Sequence, residues 1–465
     1  MAQNQREQIR VVAEKAVLVA VLLPNSLHGP DAALDELRAL AETAGAVVVG
    51  ELIQNRAKPS GKTYLGKGKV QELADLVSMM GASLVIFDND LAPSQIKAIE
   101  EGTNCKVIDR SELILDIFAN RAATHAAKLQ VEIAQLEYTY PRLRAMWDHL
   151  ETIVGGAPIG IGTRGPGEQQ LEIDRRLVKN RLRNLKRELN QILQRKVREV
   201  HKRNLDHFTV GLVGYTNAGK STLFNSLTAG GAFSHEKLFA TLGTRIERWD
   251  FGGGTAAMLS DTVGFIRDLP HHLVASFRST LEETIHSDLI IIVVDISDPN
   301  SQMHLETVQN TLDAIKATRQ KRLLVLNKID QQEDSRQIMC WLNNHPDAIC
   351  ISAITKEGLD ELSNTVRESV IGKVREIVIT IQLSDSRAVD FIEKRTEVLN
   401  RDYGDGQVNF TVGIGRRQID QVLAIGGAIL IDGKNPQEAI SLLWKEDESD
   451  KDRPLRIPPH ELPEI

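Results

Sequence analysis

Gly214-Tyr215-Thr216-Asn217-Ala218-Gly219-Lys220-Ser221 fits the phosphate-loop pattern G-x-x-x-x-G-K-[ST]. It follows an apolar stretch, Phe208–Val213, and a helix is expected to start near Lys220. A strand, a glycine turn and a helix N-terminus together point backbone amides and positive potential at phosphates. Three further strings follow in order: Asp261-Thr262-Val263-Gly264, Asn327-Lys328-Ile329-Asp330 and Ser352-Ala353-Ile354. One such string could arise by chance; four in register from 214 to 354 could not. The order predicts a P-loop domain of α/β class that binds and hydrolyses GTP.

Each string has a distinct expected task. Lys220 reaches the β- and γ-phosphates, and Ser221 places its hydroxyl on Mg²⁺. Thr222 continues the helix beside them. Asp261, after the strand-like Ala257–Ser260, holds Mg²⁺ through water. Gly264 offers its amide to the γ-phosphate, a contact whose loss on hydrolysis releases the segment. Between these strings lies Phe239-Ala240-Thr241-Leu242-Gly243. Thr241 is the candidate second protein ligand of Mg²⁺, with Thr244 the rival position. Asn327, Lys328, Ile329 and Asp330 follow the apolar strand Leu323–Leu326. The Asp330 carboxylate can accept two hydrogen bonds from guanine N1–H and N2, a pair that adenine does not offer. Ser352, Ala353 and Ile354 buttress the base through their backbone.

Phe265 stands where many small GTPases carry a water-orienting glutamine. A phenyl ring cannot orient water, so intrinsic hydrolysis is expected to be slow. Asn217 is then the candidate ligand for a potassium ion that stands in for an arginine finger. Lys220, Thr241, Gly264 and Asn217 make up the expected catalytic set. The paired His271 and His272 have no partner at metal spacing and read as solvated.

Around this domain the chain of 465 residues has room for two to four domains of ordinary globular composition. Residues 1–15 read as a frayed start. From 16 to 110, apolar runs Ala16–Leu23, Ala46–Leu52, Ser83–Phe87 and Lys106–Ile108 alternate with helices at Asp31–Ala44, Val70–Met80 and Ser94–Glu100. That alternation predicts a small parallel N-terminal α/β domain. Residues 111–205 read as a helical hairpin. Leu129, Ile133, Leu136, Tyr140 and Leu143 form one apolar seam, and Leu182, Leu185, Leu189 and Ile192 another. The seams zip together, or each packs on the α/β sheet instead. Pro141 is expected to bend the first helix or end it early. Residues 206–372 hold the nucleotide motifs. Residues 373–444 read as a small βαβα C-terminal domain: strand Ile377–Leu383, helix Arg387–Leu399, a turn at Asp402–Gly406, strand Val408–Gly413 and helix Arg417–Ala424. The tail, 445–465, is acidic and then proline-rich.

Charge is unevenly placed. Arg175 to Arg203 holds twelve Lys/Arg against two Glu, a local +10, which leaves −17 for the rest of a chain whose net charge is −7. Before it, the hairpin tip 151–170 has six glycines around Arg164. A basic helix beside a bare-backbone loop suits close approach to a polyanion; a solvated helix face and a plain connector are the alternatives. Three cysteines without ligand spacing fit a reducing cytosol, as buried apolar groups. The longest apolar run near the start is too short for a membrane span, and no lipidation motif supports a peripheral anchor.

Four longer strings go beyond a generic GTPase. They are Gly162-Thr-Arg-Gly-Pro-Gly-Glu-Gln-Gln-Leu-Glu-Ile-Asp-Arg-Arg176, Val107-Ile-Asp-Arg-Ser-Glu-Leu-Ile-Leu-Asp-Ile-Phe118, Thr124-His-Ala-Ala-Lys-Leu-Gln-Val-Glu132 and Asp261-Thr-Val-Gly-Phe-Ile-Arg-Asp-Leu-Pro270. Over about residues 16–372 the chain resembles the HflX-type GTPases, of the Obg/HflX-like branch of the TRAFAC class. The resemblance implies a cytoplasmic GTPase, monomeric when free, that contacts the large (50S) ribosomal subunit. Family members are described as splitting or rescuing stalled ribosomes under stress. It also implies that the hairpin tip reaches ribosomal RNA, with Arg164, Gly165, Gly167, Arg175 and Arg176 as candidate contacts. The family usually continues Phe-Ala-Thr-Leu with Asp-Pro-Thr, whereas Gly243-Thr244-Arg245 follows here, which loosens the first switch. The competing expectation is an RNA-binding regulator in which GTP sets affinity and hydrolysis only sets release.

Overall fold

A parallel strand buried on both faces reads as an unbroken apolar run, and Lys15–Leu22 (KAVLVAVL) is one, with Ala16 to Val21 all buried. The computed structural model describes residues 14–24, 34–154, 176–195, 207–228, 245–252, 255–262, 264–267, 284–315, 317, 320–332, 335–372, 374–404, 406–425 and 429–444, without the side chains of 141–154 and 424. By contact, the described residues through Gln194 form one compact unit and those from Arg195 onward another.

In the first unit, β1 (Lys15–Leu22), β2 (Val47–Asn55), β3 (Leu84–Phe87) and β4 (Lys106–Asp109) form a parallel sheet in the order β2-β1-β3-β4. Helices α1 (Asp35–Ala44), α2 (Lys67–Met80) and α3 (Pro93–Thr103) are the crossovers. The sequence did not reveal α4 (Arg110–Arg121), whose residues 113–115, 117 and 118 are buried. Asp109 caps it by accepting the Glu112 amide at 3.0 Å. The buried Arg110 guanidinium beside it pairs with Asp88 at 2.8 Å and Glu36 at 3.0 Å.

The hairpin then forms as its seams predict. Helix α5 (His125–Val154) and helix α6 (residues 176–195) share a cluster of Leu129, Ile133, Leu185 and Leu189, flanked by Leu136, Leu182, Ile192 and Leu193. Ion pairs Arg181–Glu132 (2.7 Å) and Lys186–Glu137 (2.8 Å) flank the seam. Of the bend or early end expected at Pro141, the early end does not occur, and α5 runs on to Val154. The turns before Pro141 are held by the seam.

In the second unit, β5 (Phe208–Gly214), β6 (Arg245–Asp250), β7 (Ala256–Asp261), β8 (Leu289–Asp295), β9 (Lys321–Asn327) and β10 (Ile349–Cys350) form a six-stranded sheet ordered β10-β9-β8-β5-β7-β6. Every pairing is parallel except β6 with β7. Helices α7 (Lys220–Leu227), α8 (Ser301–Ala314), α9 (Ser335–Asn344) and α10 (Leu359–Ile371) belong to this α/β domain. Cys340 is exposed on α9, and only Cys105 is fully buried, against the expectation for all three thiols; the outward face of a surface helix tolerates a small side chain.

The C-terminal part extends the expected βαβα pattern to βαββαβα. It comprises β11 (Val374–Gln382), α11 (Ser386–Arg395), β12 (Glu397–Gly404), β13 (Gln407–Gly415), α12 (Arg416–Ile425), β14 (Ile429–Ile431) and α13 (Pro436–Leu443). Its antiparallel sheet has the order β12-β13-β11-β14. Residues 397–399, expected at a helix end, and 402–404, expected in a turn, instead lie in β12, paired from Glu397–Gly413 to Gly404–Gln407. β12 is an edge strand with only Val398 packed on the core, so it lacks the apolar alternation that would mark it. This part meets the nucleotide domain where the Arg417 guanidinium lies 4.3 Å over the Phe208 ring and 3.7 Å from Asp288. Among the described residues no helix is long and apolar enough to cross a membrane.

Candidate functional site

Strand β5 lies between β7 and β8, so the chain runs first to β6 and β7 on one side of it and then crosses to β8 on the other. In such sheets the crevice at the carboxyl ends of the strands receives ligands. Gly214 ends β5, Asp261 ends β7, Asp295 ends β8 and Asn327 ends β9. Three of the four sequence motifs are therefore brought to one edge by topology, and Ser352–Ile354 follows β10 on the same edge.

The phosphate loop closes on itself around Lys220. The ammonium donates to the carbonyls of Gly214 (3.1 Å) and Tyr215 (2.7 Å) and is buried. Burial pushes its pKa down from 10.5 to about 8, and the nearby Asp261 carboxylate opposes that shift. Gly219 at the helix N-terminus has φ +92°, and a Cβ there would collide with the Asn327 amide. Only glycine lets the loop lie against that side chain. Gly264 is equally constrained, since a Cβ would lie 2.9 Å from both the Lys220 ammonium and the Thr216 Cα.

Ser221 and Asp261 meet as a hydroxyl–carboxylate pair, the Ser221 hydroxyl donating to Oδ2 of Asp261 at 2.8 Å. Asp261 is fully buried at the end of β7. Two hard oxygen donors at the mouth of a phosphate loop are the ligand type that Mg²⁺ takes. Thr262 turns the other way and donates to the Leu212 carbonyl at 2.7 Å, which ties the motif to β5. Thr222 lies in α7 beside Ser221. Asn217, in the left-handed region at φ 63°, is exposed at the crown of the loop.

On the base side, Asn327 is buried. Its Nδ2 donates to the Ala218 carbonyl at 2.8 Å, and its Oδ1 accepts the Ala353 amide at 3.0 Å. Lys328 adopts φ 66° and pairs with Asp295 at 2.6 Å. A single turn of 3₁₀-helix over Ile329–Gln331 leaves Asp330 exposed, and the Ile329 amide donates to the Ile351 carbonyl at 3.3 Å. Ser352 is fully buried, its hydroxyl accepting the Thr355 amide at 3.1 Å, while Ile354 is exposed.

Phe239, Ala240, Thr241, Leu242, Gly243 and Val263 lie outside the described residues, as do Arg164, Gly165, Gly167, Arg175, His271 and His272. Arg176 is exposed on the first turn of α6. The sequence reading missed Asp295, whose only signal was its place after the apolar run Leu289–Val294. It also missed His304, whose ring stacks on Tyr215 at 3.8 Å.

Comparison with known proteins agrees with this architecture. Four family descriptions match in succession: "GTP-binding GTPase N-terminal" at residues 31–119, "GTP-binding GTPase Middle Region" at 121–203, "50S ribosome-binding GTPase" at 209–328 and "HflX C-terminal domain" at 337–425. The GTPase HflX of Lacrimispora saccharolytica is 40% identical over 397 residues, covering 85% of this chain and 92% of that protein. The GTPase HflX of Escherichia coli is 42% identical over 376 residues, covering 80% and 87%. Among solved structures, a GTP-binding protein from the archaeon Sulfolobus solfataricus in complex with GDP is 26% identical, covers 76% of this chain and 98% of its own, and superposes with a TM-score of 0.41. Identity of this extent along nearly the whole of its relatives establishes that the chain belongs to the HflX family of GTPases, enzymes that bind and hydrolyse GTP.

Proposed function

We propose that GTP binding and hydrolysis at this site control attachment of the chain to the large ribosomal subunit, and that attachment serves to split or rescue stalled ribosomes under stress. The observation that carries this reading is on α6. Arg176, Lys179, Arg183 and Arg187 are all exposed and recur at intervals of three or four, so they form one ridge. Among the described residues no carboxylate pairs with this ridge, whereas Arg181 and Lys186, nearer the seam, are neutralised by α5. A cationic row on a two-helix arm suits a run of phosphates, as in ribosomal RNA. The matched description of residues 209–328 as a 50S ribosome-binding GTPase supports the same partner. Arg164, Gly165, Gly167 and Arg175, at the arm's tip, are the further candidate contacts.

Within the site, the residues take the roles their positions favour. Gly214 to Thr222 cradle the phosphates, and Lys220 supplies the buried cation. Ser221 and Thr241 are the residues that would hold Mg²⁺, with Asp261 holding it through water. That ion, when bound, offsets charge on the phosphate oxygens. Asp330 and the backbone of Ser352 to Ile354 read guanine. Asn217 is the candidate potassium ligand that compensates for Phe265. The chain acts in the cytoplasm and is monomeric when free.

The experiment is GTP turnover with and without purified large subunits, in K⁺ and in Na⁺, beside sedimentation of ribosomes with GTP and with a non-hydrolysable analogue. Strong stimulation by large subunits, and splitting supported by the analogue, are expected. Turnover unaffected by large subunits would overturn the partner, and equal rates in K⁺ and Na⁺ would remove the role given to Asn217.

A further inference from the structure

Among the described residues after Asp261, the position of a water-orienting glutamine is held by Phe265, buried at 4% exposure. What this segment brings to hydrolysis is therefore the placement of its backbone. Two bonds zip it to the phosphate loop: the Thr216 amide donates to the Phe265 carbonyl (2.8 Å) and the Phe265 amide to the Gly214 carbonyl (3.0 Å). Both are backbone bonds that any residue could make. The third anchor is a side chain. The Tyr215 hydroxyl accepts the Arg267 amide at 3.0 Å, two residues further along.

A tyrosine hydroxyl can hold a backbone amide in place only if its ring is itself held. Tyr215 is 5% exposed, and the His304 imidazole lies on its ring with centroids 3.8 Å apart and planes 14° from parallel. His304 belongs to α8, outside all four nucleotide motifs, and the Asp298 carboxylate lies 3.9 Å from its Nδ1. We propose that Tyr215 and His304 are positioning residues for GTP hydrolysis. Their stacked rings fix the Tyr215 hydroxyl, and that hydroxyl fixes the segment following Gly264 against the phosphate loop. The pair sets the rate of turnover rather than the affinity for nucleotide. The backbone carbonyl of Tyr215 accepts the Lys220 ammonium at 2.7 Å, a contact that a change at the far end of its ring leaves in place.

The test uses the full chain, steady-state GTP hydrolysis and titration with a fluorescent GDP analogue. Tyr215→Phe removes the acceptor and keeps the stack. His304→Ala removes the stack and keeps the hydroxyl, and His304→Phe restores an aromatic partner. Losing one hydrogen bond of ordinary strength in the transition state corresponds to about a fivefold loss of rate. Tyr215→Phe and His304→Ala are expected to lower kcat about fivefold with KM and GDP affinity within about twofold. The double variant is expected to be no worse than either single one, and His304→Phe to retain most of the rate. Unchanged kcat in Tyr215→Phe would overturn the proposal. So would a rise in KM with a matching loss of GDP affinity as kcat falls, or His304→Phe behaving like His304→Ala. The unaltered chain hydrolysing GTP in the same assay separates this outcome from any failure of the activity itself.

Discussion

Asn327 is hydrogen-bonded to Ala218 across 109 residues of sequence, its side-chain amide donating to the Ala218 carbonyl at 2.8 Å. The same side chain accepts the Ala353 amide at 3.0 Å. One buried amide thus joins the phosphate loop to both loops on the base side. Removing it leaves a buried carbonyl and a buried N–H without that partner, at about 1–3 kcal/mol each. Asn327→Ala is therefore expected to lower the stability of the free chain by about 2–6 kcal/mol and to weaken GTP and GDP alike. Denaturant unfolding and nucleotide titration measure the two effects; an unchanged unfolding midpoint would show that the bridge does not stabilise the fold.

Much of this site was legible because phosphate binding demands particular residues at fixed spacing. Gly219 must be glycine where the loop passes Asn327, and Lys220 must follow it. Strand ends were legible for a related reason. Runs such as Leu289–Val294 are apolar without alternation because parallel strands are covered on both faces. The Tyr215–His304 stack was not legible, since its members are distant in sequence and neither breaks a local pattern. Strand β12 escaped because an edge strand that buries only Val398 carries no period. The hairpin register, by contrast, was written in two matching seams whose residues meet as one cluster.

We propose that guanine selectivity rests on a single exposed carboxylate, that of Asp330. Asp330 is held in a 3₁₀ turn anchored by the Ile329 amide on the Ile351 carbonyl, so its position is fixed while its oxygens stay open. Asp330→Asn presents a donor where guanine also donates. GTP affinity is expected to fall by about 100-fold or more, with xanthosine triphosphate bound better than GTP. Competition between the two nucleotides reads this directly, and undiminished GTP binding would refute the role of Asp330.

The buried Lys220 is expected to make nucleotide affinity depend on pH. Its pKa is pushed down to about 8, below the ordinary lysine value of 10.5. Between those two values the unfolded chain binds more protons than the folded one. The stability of the free chain is therefore expected to rise with pH across that window and to be independent of this group below it. Phosphate favours the charged ammonium, so GTP binding above pH 8 must take up a proton. Affinity is expected to fall by up to about tenfold per pH unit there. Calorimetric titration at pH 8.5 in buffers of different ionisation enthalpy detects the uptake, which Lys220→Met should abolish.

The cationic ridge of α6 predicts how binding responds to salt. Lys179, Arg183 and Arg187 are exposed on one face, and their replacement by glutamine leaves the buried Leu185 and Leu189 untouched. Exposed charges of this kind add little to stability, so thermal unfolding of the triple variant should match the parent chain. Each phosphate contact releases condensed counterions, and its loss reduces the steepness with which binding falls as salt rises. The triple variant is expected to bind large subunits more weakly in low salt, with a log–log salt slope shallower by about 2. A parallel loss at every salt concentration would instead mean that the ridge shapes the arm without touching phosphate. Leu185→Ala is the contrasting change. It empties the centre of the seam, at about 2–5 kcal/mol, and should weaken attachment through loss of the arm's form, with its salt dependence retained.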